Sequence, residues 1–186
     1  MSPRLLLVVA FVLVASCSSD QAVVETTAVP SSSESTTLTC ADNGHPTTPP
    51  SAGDVNANGL TFSGVEPVHE RLSSPVPVSA GTSQMFFEKI FLYVSSSASP
   101  TTRITVISPS NASFYYTSPA IWQSVVPDAD MIANATKSVT VSRCGSDLTG
   151  YFGGILLASR ACVEIKIEGD SSAVEGRVAL PLPGPC

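Results

Sequence analysis

The clearest pattern along the chain lies in residues 162–168, where Val163, Ile165 and Ile167 alternate with Glu164, Lys166 and Glu168. Successive side chains of a strand point to opposite faces, so this spacing puts three apolar groups on one side and three charges on the other and predicts a half-buried strand. Residues 169–176 are rich in turn formers, and Val178, Leu180 and Leu182 then resume the alternation, so the two runs predict a hairpin. Pro181 cannot donate a ladder hydrogen bond, which ends the return strand there or confines it to an edge.

The same reading predicts strands at residues 60–65, 103–108 and 138–143, with Ile104 and Val106, then Val139 and Val141, turned inward and Thr105 and Thr140 turned out. Residues 85–94 are rich in aromatic and β-branched side chains and end in a continuous apolar run, which suits one central strand covered on both faces. Ser, Pro, Gly, Asn and Asp clusters separate these segments, the punctuation of an all-β domain. The expectation is a single disulfide-bonded β-sandwich of about seven or eight strands over residues 59–186.

Ahead of it, residues 17–58 carry Ser, Thr and Pro runs and almost no large apolar groups. Such a segment cannot bury enough surface to offset its ordering entropy, so it reads as a disordered tether. Residues 1–16 read differently. A short basic start containing Arg4 leads into an unbroken apolar run over residues 5–14, the layout of a secretory signal. The run is about half of the roughly 20 residues a membrane-spanning helix needs.

Val14-Ala15-Ser16-Cys17 matches the lipobox pattern, in which a branched apolar and two small residues precede a cysteine that is lipidated before cleavage. Cysteine parity points the same way. Five cysteines are an awkward number in an oxidising compartment, whereas giving Cys17 to lipid leaves Cys40, Cys144, Cys162 and Cys186 to pair. Four cysteines allow three connectivities, which sequence leaves open. Stable membrane attachment then follows from two or three acyl chains on one residue.

Charge narrows the partners. Nine Lys and Arg face 15 Asp and Glu, and removing residues 1–16 takes away one base and no acid. Nucleic acid is a poor partner for that surface. Motifs for metal, cofactor or nucleotide are lacking, and the sequence offers no nucleophile elbow and no Ser-x-x-Lys. Asp128-Ala129-Asp130 lacks the remaining donors of a calcium loop, and His45 and His69 sit outside the strand pattern. Tyr151-Phe152-Gly153-Gly154 places two glycines inside an apolar run, which signals a bulge or a close backbone approach. Tyr115, Tyr116 and Trp122, gathered with Phe114 between Pro109 and Pro127, are the candidate ligand-binding residues, since aromatic side chains stack on sugars and anchor partners.

Arg143-Cys144-Gly145, Gly153-Gly154 within a strand, Cys162-Val163 opening another and the final Cys186 resemble small exported actinobacterial lipoproteins of unknown function. The likeness covers about 45 residues, and the layout of lipobox, Ser/Thr stalk and β-domain is similar to mycobacterial lipoprotein antigens. The resemblance implies a location on the outer face of the cell membrane and carries no active-site residue across. The expected function is a non-enzymatic binding or structural module of the envelope, with a cell-wall component or an envelope protein as partner. The alternative is a lipid carrier or a carboxylate-dependent hydrolase.

Overall fold

The computed structural model describes residues 33–44, 54–64, 76–81, 83–145, 148–159, 161–170, 175–182 and 186. Residues 1–16, Cys17 and the chain up to residue 32 lie outside the described residues. So do His45 and His69.

The described chain is all-β. Its strands are β1 (Ser33–Leu38), β2 (Val55–Ala57), β3 (Leu60–Ser63), β4 (Val76–Ala80), β5 (Ser83–Lys89), β6 (Phe91–Val94), β7 (Thr101–Ser108) and β8 (Ser113–Thr117). Two short helices, α1 (Pro119–Trp122) and α2 (Asp128–Ala133), precede β9 (Thr136–Ser142), β10 (Thr149–Leu157), β11 (Ala161–Gly169) and β12 (Glu175–Leu182). The sheet order is β12-β11-β7-β9-β8-β10-β6-β3-β2, with β1 alongside β9, β5 alongside β10 and β4 outside β5. All pairings are antiparallel except β1 with β9. Twelve described strands therefore stand where the alternation predicted seven or eight.

The sheet curls until its two ends nearly meet. A methyl group on Gly176 of β12 would lie 2.7 Å from the Asn58 amide in the turn between β2 and β3. Asn58 and Gly59, at φ 53° and 79°, form that two-residue hairpin turn. Positive φ at both positions suits Asn-Gly. Phe62, Leu92, Ile155, Leu157 and Val163 fill the space the sheet encloses at 0 % exposure.

The predicted hairpin is β11–β12, in the register Val163↔Leu180, Ile165↔Val178 and Ile167↔Gly176. Val163, Ile165 and Ile167 are fully buried, and each such burial contributes roughly 1.5–3 kcal/mol. Lys166 and Glu168, on the opposite face, form an ion pair at 2.8 Å. Pro181 sits on β12, an end of the sheet path, where its missing N–H disturbs no further ladder.

Residues 85–94 form two strands rather than one. β10 is the cause. It pairs with β6 through Thr149–Tyr151 and with β5 through Gly154–Leu157, and the Ile90 N–H between them donates to the Gly153 carbonyl at 2.9 Å. The glycines permit this crowding, since a Cβ on Gly153 would lie 2.3 Å from the Tyr115 carbonyl oxygen and one on Gly154 2.0 Å from that of Glu88. The Gly-Gly pair is thus a site of close backbone approach.

Part of the stretch read as tether is also built into the sheet. β1 is almost wholly polar, yet pairing with β9 from Ser33↔Thr136 to Leu38↔Val141 satisfies the backbone groups on one side of it, and Leu38 is buried in the core. Thr39 and Asp42 then form a reciprocal capping box around a single 3-10 turn, Cys40–Asp42. Cys40 is bonded to Cys144, and Gly44 and Asn43 bind the backbone of Gly150 at the start of β10. The second bridge joins Cys162 to Cys186 and fastens the C-terminus to β11. The four cysteines expected to pair do so.

Candidate ligand groove

β8 and the helical segment after it position the aromatic candidates. The alternation of β8 sends Phe114 and Tyr116 into the main core and Tyr115 to the opposite face, where it packs edge-on against Phe87 with ring centres 6.3 Å apart. Ser118 leaves the strand in an extended conformation, and Pro119, whose fixed φ suits a first helical position, opens the single turn of α1. α2 is held by its own acids. The Asp128 carboxylate accepts from the Ser79 N–H of β4 at 3.0 Å, and Asp128 and Asp130 lie in the first turn, where the helix dipole favours negative charge.

Between β1, the outer half of β8 and these helices lies a groove of about 510 Å³. Tyr115, Tyr116 and Thr117 line it from β8 and Thr36 from β1, while Ile121, Val125 and Val126 supply an apolar side and Ser124, Asp130 and Asn134 a polar one. Its size falls in the range of small-molecule sites, roughly 300–1,000 Å³. Both tyrosines border the groove, but on opposite faces of β8: Tyr115 turns its side chain towards the helices, while the Tyr116 ring is packed in the main core against Phe114. They are strand residues, 5 % and 7 % exposed.

Trp122 takes another place. It stacks on Phe152 at 6.1 Å with the rings 9° apart, and it packs against Phe87. The Lys89 ammonium lies 5.0 Å from the Trp122 ring centre and 4.8 Å from that of Phe91, so one cation serves two ring faces. This aromatic–lysine cluster borders the groove without lining it.

The chemistry available in the groove is hydrogen bonding and packing. The Tyr116 phenol is not part of it: burial in the main core raises it far above its ordinary value, and its oxygen has no hydrogen-bond partner among the described residues. Burial also raises Tyr115, with the Thr117 side chain opposing and Asp130 adding to the shift. Both phenols stay protonated at neutral pH and are poor nucleophiles there. Asp130 is the single carboxylate among the described groove residues, so no pair of acids is assembled there for hydrolysis. Among the described residues no three His, Cys, Asp or Glu side chains converge as a metal site, and Asp128 and Asp130 belong to a helix rather than a calcium loop.

Thr36, Ser124, Asp130 and Asn134 were not legible as site residues, because the fold brings them together from β1 and the helical segment. Compared with known proteins, the chain matches no family model, no curated protein and no solved structure.

Proposed function

We propose that the chain is a secreted lipoprotein, held on the outer face of a bacterial membrane by lipid on Cys17, whose β-domain is a non-enzymatic binding module of the cell envelope. One observation carries the reading. The bridges Cys40–Cys144 and Cys162–Cys186 use four of the five cysteines, and the fifth is the one behind the apolar run and Val14-Ala15-Ser16. Disulfides persist in oxidising compartments outside the cytoplasm, in keeping with export.

The binding part of the reading draws on the groove, whose volume suits a small ligand and whose groups recognise rather than react. Ser124 and Asn134 donate to the carbonyls of Ile121 and Asp130, which leaves their oxygens to accept from the hydroxyl and amide groups of a cell-wall fragment. The test is metabolic labelling in a bacterial host. Labelled palmitate is expected on the wild-type chain and absent from Cys17→Ala, and equal labelling of the two would refute the anchor.

A further inference from the structure

Among the described residues three large apolar side chains stand exposed, and two of them share one connection: Ile121 at 49 % and Val125 at 96 %. A lone exposed valine is ordinary. Here, however, residues 118–127 contain no charged side chain at all, and Trp122 lies at their centre, partly buried. Uncharged segments with apolar tips and a tryptophan suit the boundary between lipid headgroups and acyl chains.

The path of the chain says which surface this connection meets. Val125 and Thr36 line the same groove, and Thr36 is three residues, about 10 Å of strand, from Ser33. Ser33, the first residue of β1, therefore lies opposite Thr136 and about 10 Å along the strand from the groove that this connection walls. Even fully extended, residues 18–32 span no more than roughly 50 Å.

We infer that residues 118–127 dock on the bilayer that holds Cys17, with Ile121 and Val125 entering the headgroup boundary and Trp122 behind them. The inference rests on the lipoprotein reading. Two apolar side chains bind lipid weakly by themselves, and the covalent anchor makes the contact effectively intramolecular. Asp128 and Asp130 follow directly, and the whole chain carries a net charge of −6, so the preferred surface is zwitterionic rather than anionic.

The test uses the mature lipidated protein reconstituted in phosphatidylcholine vesicles with brominated acyl chains. Trp122 is the single tryptophan, so its emission reports on this connection alone. A blue shift and quenching are expected for wild type. Val125→Asp and Ile121→Asp should lose both signals while still floating with the vesicles and melting as wild type does. A floating wild-type protein whose Trp122 is unquenched, or Asp variants quenched as wild type is, would overturn the docking and leave the anchor standing, pointing to a protein partner for the loop. A mature chain that fails to float would overturn the anchor and the docking together.

Discussion

The interior of the curled sheet and the cluster beneath the helices are both apolar, but they are finished differently. In the interior, most aliphatic side chains from β7, β9, β10 and β11 meet at or near zero exposure, Val106 at 9 % being the exception, and Ile155, Leu157, Val163 and Ile165 have no surface left to offer. Beneath the helices, Val78, Met85, Phe87 and Tyr115 keep 3–7 % of their surface, half-buried Trp122 and Met131 close the edge, and the groove opens alongside. A cluster sealed by two short helices has less packing to lose and more room to adapt. Stability should therefore reside in the first and ligand contact in the second.

That division can be broken by mutation. Ile165→Ala leaves a cavity in a site with no freedom to collapse and is expected to cost about 4 kcal/mol, whereas Met85→Ala should fall near 2 kcal/mol. Denaturant unfolding of the two variants measures the gap, and equal losses would remove the distinction.

Alkaline titration sharpens it. Burial raises the Tyr151 phenol from 10.0 to about 12, the hydrogen bond to the Ser142 carbonyl opposing the shift and Asp42 adding to it. The unfolded chain thus ionises first, and the folded state holds the extra proton between those values. Stability is fully present below pH 10 and falls as pH rises towards 12, by on the order of 2 kcal/mol for this group. Burial raises Tyr115 and Tyr93 as well, so their tyrosinates also form above the ordinary range. Tyrosinate absorbance follows the ionisation and the denaturant midpoint its cost, and a midpoint unchanged up to pH 12 would contradict the account. Smallest is Tyr116→Phe, which deletes a buried hydroxyl without a partner among the described residues and should change stability by less than about 1 kcal/mol, towards gain. A loss of several kcal/mol on unfolding would show that the hydroxyl is held after all.

How far these regions were legible follows from the same contrast. β11 and β12 could be read because one face is core and the other water, so a period of two survives in Val163, Ile165 and Ile167. β1 could not, because Ser-Glu-Ser-Thr-Thr-Leu gives only Leu38 to the core and owes its place to pairing with β9 and the Cys40 bridge. The break at Ile90 is set by β10 across the sheet, a contact distant in sequence. Tyr115 and Tyr116 were singled out for their aromatic character alone, whereas the groove beside them is a product of tertiary structure, and Thr36 gave no signal of belonging to it.

The most direct test of the whole account is the mass of the N-terminal peptide of the mature protein isolated from bacterial membranes. The account predicts a chain that begins at Cys17 and carries a diacylglyceryl group, with or without a third acyl chain on its amine. A mature chain that begins elsewhere, or one whose Cys17 is a free thiol, would contradict it.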